Sequence, residues 1–331
     1  MGDSMLSKIK RFLSRILPMP HRTMVMRLNE LNSLIILQND EINRKLKILA
    51  DGLTYSSEQI NQLSKTQADT EKSHESQKQD IQRIYDTQKQ YYEKLNSSIT
   101  ENKKRTQIAV DNSNESVWAQ IFNNTISGCD WLIDRAFSPG RWAVGYQYLY
   151  VLYRVLNEVT PQRILELGLG QSTRLIGQYA QRHPGVIHHV VEHDPEWIDF
   201  FTSGFALSEQ THIVNLPIEM EAFSSDNVPV YTDFSQTFSG QKFDLISIDA
   251  PFGYLSKEYS RIDILKLLPR CLSDSFVIMM DDYNRNMERN TVELIKQFLD
   301  ESGIPYCTGT YHGQKATYVI ASENLRFVCS M

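Results

Sequence analysis

Three acids stand where a parallel sheet would bring them together. Asp249 closes the apolar run "FDLISIDAP", and Asp281 and Asp282 close "SFVIMMDDY". Both runs are strand-like, and an open α/β sheet binds its ligands beyond the carboxyl ends of its strands. Converging carboxylates there suit two chemistries. One is a hard divalent cation such as Mg²⁺, with Asp249, Asp281 and Asp282 as ligands. The other is a general base, Asp249, that takes the proton of a poorly nucleophilic hydroxyl. A purely structural arrangement is the third option, with Asp281 and Asp282 capping the next helix or pairing with Arg285 and Arg261. Tyr254 and Arg261, in "PFGYLSKEYSR", are candidates for gripping an acidic or hydroxylated substrate.

A glycine turn supplies the second constellation. "RILELGLGQSTRLI", Arg163 to Ile176, reads as a strand turning sharply onto a helix N-terminus, with Gly168 and Gly170 where a ligand must approach backbone. A dinucleotide turn wants GxGxxG or GxGxxA, but Thr173 stands at the third position, and Glu166 would repel a pyrophosphate. GxxxxGK[ST] is absent as well. An acid beside a glycine turn suits a cationic ligand without phosphates, and S-adenosylmethionine, with its ammonium and sulfonium, is one. The candidate cofactor contacts are Glu166, Gly168, Gly170, Gln171, Ser172 and Asp249. Glu192 joins them. It ends the strand "IHHVVEHD" 24 positions beyond Gly168, where a carboxylate can accept both ribose hydroxyls. His188, His189 and His193 flank that strand and read as packing or solvent-facing residues before they read as bases. Trp142 and Tyr146 are either an aromatic lid over a sulfonium or core; Asn215 and Tyr231 border the expected adenine loop.

The elements that must position these groups alternate regularly. "RILELG", "IHHVVEHD", "HIVNL", "FDLISIDAP", "SFVIMMDDY", "YCTGTYH" and "KATYVIAS" read as strands. Helices are expected over Trp142–Val159, Ser172–Gln181, near Trp197, and in "RIDILKLLPRCL" and "MERNTVELIKQFLDES", with a loop after "HIVNL". Strands alternating with helices imply an α/β fold. The expectation is a Rossmann-like, seven-stranded, mostly parallel sheet, with one antiparallel strand because the last two have no helix between them.

Ahead of it lie other segments. Residues 1–27 contain "MLSKIKRFLSRILP", with apolar residues on one helical face and Lys8, Lys10, Arg11 and Arg15 on the other. Such a helix, 5–17, suits an anionic membrane surface, a partner protein or a targeting peptide. From Leu28 a heptad frame continues to Ser98, filled by Ile42, Leu46, Leu49, Leu53, Ile60, Leu63, Ile81, Ile84 and Leu95. It reads as a coiled coil over 28–110, hence a homo-oligomer, with a polar single helix as the alternative. Gly52 and 112–115 are expected interruptions, 111–130 a linker, and 131–331 the globular domain. Residues 1–130 carry 18 Lys and Arg against 16 Asp and Glu, and 131–331 carry 16 against 24. The acidic globular half argues against nucleic acid, whose phosphates need clustered cations. Four cysteines without CxxC spacing, the lack of a signal peptide and the lack of a long apolar run suggest reduced thiols in the cytoplasm, peripheral at the inner membrane face if the N-terminal helix binds lipid.

In order and spacing, "ILELGLGQST", "VVEHD", "FDLISIDAPFGY" and "FVIMMDDYNR" resemble the motifs of class I S-adenosylmethionine-dependent methyltransferases over about residues 140–320. More narrowly, the segment from Ile248 to Arg285 resembles bacterial methyltransferases associated with surface-polysaccharide synthesis and plant enzymes that O-methylate glucuronic acid on xylan. The resemblance implies O-methylation of a carbohydrate hydroxyl. A small-molecule or protein methyltransferase and a non-catalytic coiled-coil scaffold are the alternatives. Catechol-type relatives bind metal through a fourth-strand acid and an Asp-Asn pair; Asp282 stands here in place of that Asn.

Overall fold

The computed structural model describes residues 19–66, 74–140 and 142–331, so the expected basic helix over 5–17 lies outside the described residues. The chain divides into two compact units between Ser113 and Asn114.

The first unit consists of helix α1 (Met19–Thr66) and the part of helix α2 (His74–Thr125) up to Ser113. Neither expected interruption occurs. α1 runs through Gly52 and α2 through 112–115, because one glycine costs a long helix only about 1 kcal/mol. Exposure follows the heptad frame: Ile42, Leu46, Leu49, Leu53, Ile60 and Leu63 are half-buried, whereas Ile36, Leu37 and Ile48 are exposed.

The second unit begins inside α2. Residues 114–130 are not a linker: Trp118, Ile121, Phe122 and Ile126 recur at helical spacing, and Phe122 and Ile126 are buried in its core. The polar run just before them concealed this face. Helix α3 (Tyr146–Arg154) follows and ends in a π-helical turn, Val155–Val159. The remaining elements are β1 (Arg163–Leu167), α4 (Gln171–Arg182), β2 (Ile187–Glu192), α5 (Pro195–Gly204), β3 (Thr211–Asn215), β4 (Ile218–Phe223), β5 (Asp226–Tyr231), α6 (Phe234–Thr237), β6 (Phe243–Ile248), β7 (Leu272–Met280), α7 (Asn286–Glu301), β8 (Tyr306–His312) and β9 (Ala316–Ser322).

Seven strands form one sheet in the order β3-β2-β1-β6-β7-β9-β8. Every neighbour pair is parallel except those of β9, which runs antiparallel to β7 and β8. This is the Rossmann-like, mostly parallel α/β sheet that the alternation of strands and helices implies. Strand order reverses between β1 and β6, and the crevice above that switch point is where such sheets hold ligands. Ile164, Leu165, Leu167, Leu245, Ile246 and Ile248 are fully buried, as central strands covered on both faces require.

Two local expectations fail. The expected loop after β3 contains the β4–β5 hairpin, where Pro229 sits opposite Met220 in a separate two-stranded sheet that tolerates a missing N–H. "RIDILKLLPRCL" forms only one 3₁₀ turn, Asp263–Lys266, because Pro269 steers the preceding residue away from helical geometry.

Asp263 fastens that turn to β5 by accepting the Tyr231 N–H at 2.7 Å. Burial raises its carboxyl to about 7. A folded-state value above the unfolded one adds stability below the unfolded pKa, and that stability is lost as pH rises toward 7. Asp263→Asn, which keeps an acceptor without the charge, should therefore raise the thermal midpoint more at pH 8 than at pH 5. An equal shift at both pH values in a melting series would refute this.

Candidate active site

The glycine turn leaves β1 at Gly168, whose φ of +103° favours glycine and whose Cβ would lie 3.0 Å from that of Ala250. Thr173, the residue that breaks the dinucleotide pattern, has a positive role. Its hydroxyl accepts the Gly170 N–H at 2.9 Å and fixes the turn against the first residues of α4. From α5, the Trp197 indole N–H donates to the Leu169 carbonyl at 2.8 Å and holds the other side.

Glu192 ends β2 directly against this turn. One carboxylate oxygen accepts from the backbone N–H groups of His193 (2.7 Å) and Asp194 (3.0 Å), the other from Leu169 (3.2 Å). Glu192 thereby ties the two strand ends together and still lines the cleft. Asn215 donates to its carbonyl at 2.9 Å, whereas Tyr231 is buried in the core.

The cleft has a volume of about 820 Å³ and is lined by Gly168, Gly170, Gln171, Glu192, Asp249, Tyr254, Arg261 and Asp282 among the expected residues. Two expected cofactor contacts do not reach it. Ser172 is buried in the first turn of α4. Glu166 faces the sheet interior, where its carboxylate lies 2.9 Å from His188 Nε2, and His188 Nδ1 lies 3.2 Å from the Thr211 hydroxyl. The alternation of β1 turns Glu166 to the side opposite Leu167, and a buried acid needs a polar partner there. Glu166 is thus engaged by His188 and not by the turn.

On the far side, Asp249 follows β6 and Asp281 and Asp282 follow β7. Backbone hydrogen bonds from Asp249 to Leu167 (3.0 Å) and from Asp281 to Ile248 (3.0 Å) carry the register past the strand ends. The three carboxylates converge as expected, with an oxygen of each within 4.8 Å of the others. They do not converge alone. Arg261 Nη2 donates to Asp249 Oδ1 (3.2 Å) and to Asp282 Oδ2 (2.8 Å), and its Nη1 donates to the Asp281 carbonyl (2.9 Å). Lys315 Nζ lies 3.1 Å from Asp281 Oδ2 and 3.3 Å from Asp282 Oδ1. Arg285 adds a third cation, 3.0 Å from Asp282 Oδ2.

This environment splits the three acids. Burial, reinforced by the charge of Asp281, raises the Asp249 carboxyl well above its ordinary range against the pull of Arg261 and Lys315. Burial also raises Asp281. At Asp282 burial acts in the same sense, but Arg261, Lys315 and Arg285 outweigh it and hold the carboxyl below its ordinary range. Arg261 and Asp282 both adopt left-handed backbone, φ +56° and +58°, a strain of about 1–3 kcal/mol each that only their mutual pairing and the packing around them sustain.

As a metal site the triad fits poorly. Its geometry is present, but Arg261 Nη2 stands between Asp249 and Asp282, and Lys315 Nζ stands between Asp281 and Asp282. An ion held by all three acids would have to displace both, and one held by Asp281 and Asp282 alone would have to displace Lys315. For S-adenosylmethionine the fit is good: open backbone at the turn, a held acid at the end of β2, and a cleft of ligand size.

Sequence reasoning missed Lys315, Phe252 and Met287, which also line the cleft; Arg285, expected as an ion-pair partner of the acids, His193, expected as a packing residue, and Trp197 line it too. Trp142 stands 85% exposed and Tyr254 65% exposed at its rim, and the Tyr254 ring stacks on Phe252 at 4.8 Å. Tyr146 instead packs on Phe122 in the core.

No protein-family model and no curated protein matches the sequence. Solved structures with a similar fold include an O-methyltransferase from Bacillus cereus in complex with SAH. It is 11% identical over 64% of this chain and 91% of its own, with a TM-score of 0.37. The O-methyltransferase TomG from Streptomyces achromogenes, in complex with SAM, is 12% identical over 63% and 89%, TM-score 0.36. Spermidine synthase from Thermotoga maritima is 15% identical over 52% and 59%, TM-score 0.33.

Leaving a buried polar side chain without its hydrogen-bond partner costs about 1–3 kcal/mol, and the Glu166 carboxylate would lose its partner with His188 gone. His188→Ala should therefore destabilise the protein by that amount in urea unfolding, while Glu166→Gln with His188 retained costs less. Equal and small losses in both variants would show that the pair carries no such burden.

Proposed function

We propose that the chain is an S-adenosylmethionine-dependent O-methyltransferase, and the observation that carries this reading is the meeting of two half-sites in one cleft. On one side stands a glycine turn held against Glu192, and on the other Asp249 within a cluster of fixed charges. S-adenosylmethionine supplies an electrophilic methyl group on a sulfonium; its transfer to an acceptor oxygen forms a C–O bond and breaks a C–S bond.

The residues then have separable tasks. Backbone at Gly168 and Gly170 admits the cofactor's close approach, and the remaining lone pairs of Glu192 accept its ribose hydroxyls. Alignment of donor and acceptor contributes most of the acceleration in such a displacement. Asp249 takes the acceptor proton. A hydroxyl of an aliphatic alcohol needs this help, and a carboxyl raised by burial is a stronger base than an ordinary one.

The acceptor in this reading is a carbohydrate hydroxyl, in a surface glycan or its precursor. Trp142 and Tyr254 present open ring faces at the rim, suited to the apolar face of a sugar, with Arg285 and Lys315 beside them. Titration calorimetry should give one S-adenosylmethionine bound per chain, weakened at least about tenfold in Glu192→Ala. No binding by the folded wild type would overturn the reading and leave the non-catalytic scaffold.

We further propose that the heptad frame of α1 and α2 makes the protein a homo-oligomer and that residues 5–17 hold it at an anionic membrane surface. Among the described residues no helix is long and apolar enough to cross a membrane. Deletion of 1–27 should abolish co-sedimentation with phosphatidylserine vesicles and leave cofactor binding unchanged; sedimentation unaltered by the deletion would exclude the tether.

A further inference from the structure

The poor fit of a metal to the acidic triad carries a consequence. We propose that Arg261 and Lys315 are resident cations that stand where a divalent ion would stand, so that the cleft works without a metal. Three observations support this.

The first is the position of the nitrogens. One Arg261 nitrogen bridges Asp249 and Asp282, and the Lys315 nitrogen bridges Asp281 and Asp282, so two of the three pairs among these acids already share a cation. A divalent ion needs those same oxygens at about 2.0–2.6 Å.

The second is that neither cation is free to swing aside. Arg261 is 3% exposed, held at its Nη1 by the Asp281 carbonyl and built on left-handed backbone. Lys315 sits in the β8–β9 turn. The Gly313 N–H donates to its carbonyl at 2.7 Å, the Gln147 side-chain amide donates to the same carbonyl at 3.3 Å, and the Gln314 N–H donates to Glu115 at 3.0 Å. The turn is thereby seated against Glu115 of α2 and Gln147 of α3.

The third is the balance of charge. Asp249, Asp281, Asp282 and Glu288 face Arg261, Lys315 and Arg285, so the cluster is neutral to within one charge. A divalent ion added to it would make the cluster cationic, and displacing the two resident cations would strip each of the carboxylates that pair it.

The functional consequence rests on the methyl-transfer reading. An ammonium has three N–H groups; at Lys315 one is donated to Asp281 at 3.1 Å and the nitrogen lies 3.3 Å from Asp282, which leaves donor capacity for the cleft it lines. It can stabilise the negative charge that grows on the acceptor oxygen as Asp249 removes its proton, the task a divalent ion performs elsewhere.

The test uses Mn²⁺ as the probe and the full chain as the protein. Electron paramagnetic resonance should find no stoichiometric Mn²⁺ site in the wild type up to millimolar ion, and chelator should not change its thermal midpoint. Lys315→Ala, or Lys315→Gln if the first does not fold, should open a site of about 0.1 mM or tighter. Adding Asp282→Asn should close it again. One Mn²⁺ bound per wild-type chain and lost in Asp282→Asn would overturn the proposal, as would a folded Lys315 variant that takes no ion. S-adenosylmethionine titration of the same samples keeps the outcomes apart. Wild type that binds neither cofactor nor Mn²⁺ refutes the methyltransferase reading and leaves the resident cations standing.

Discussion

Asp249, Asp281 and Asp282 cannot share one corner of a sheet as free anions. Like charges a few ångströms apart in a poorly hydrated interior repel by several kcal/mol, and each pays a desolvation penalty as well. The chain meets this constraint with cations drawn from distant parts of the sequence. Arg261 comes from the loop after β6, Arg285 from the residues just ahead of α7, and Lys315 from the turn of the last hairpin. Much of the architecture around the cleft is legible as what those cations need. The left-handed backbone at Arg261 and Asp282 aims their side chains at one another. The insertion of antiparallel β9 beside β7 brings the β8–β9 turn over the strand ends. Glu115 and Trp118 of α2 pin that turn, through the Gln314 N–H and the His312 carbonyl.

The same constraint explains what could be read from the sequence and what could not. Alternating strands and helices, the glycine turn, Glu192 and the three aspartates were legible, because each announces itself within a few residues. Lys315 carries no local mark. In "HGQKATY" it is a lysine in a hairpin turn, indistinguishable from a solvated one until β9 is placed beside β7. Glu166 misled for the opposite reason. Its neighbours spell a ligand-binding turn, yet strand alternation points its side chain into the sheet, where His188 from β2 waits 22 residues away. Ser172 was misplaced by the same one-residue geometry, buried beside a Gln171 that does line the cleft. Residues 114–130 were hidden by composition, since their apolar face begins directly after the polar 112–115.

A division of labour runs across the switch point. On the β1–β2 side, polar groups are held by backbone: Glu192 takes three main-chain N–H donors, and the turn is closed by Thr173 and Trp197. That side is tied together by main-chain hydrogen bonds, as a site for a constant ligand should be. On the β6–β7 side, side chains hold one another through charge, and the protonation of each acid depends on its neighbours. Such a cluster responds to whatever enters it. A change of charge at Asp249 acts directly on Arg261, which contacts that carboxylate, and reaches Lys315 beside the neighbouring Asp281 and Asp282. The near turn is therefore set by the main chain, and the far strand ends are set by charges drawn from across the sequence.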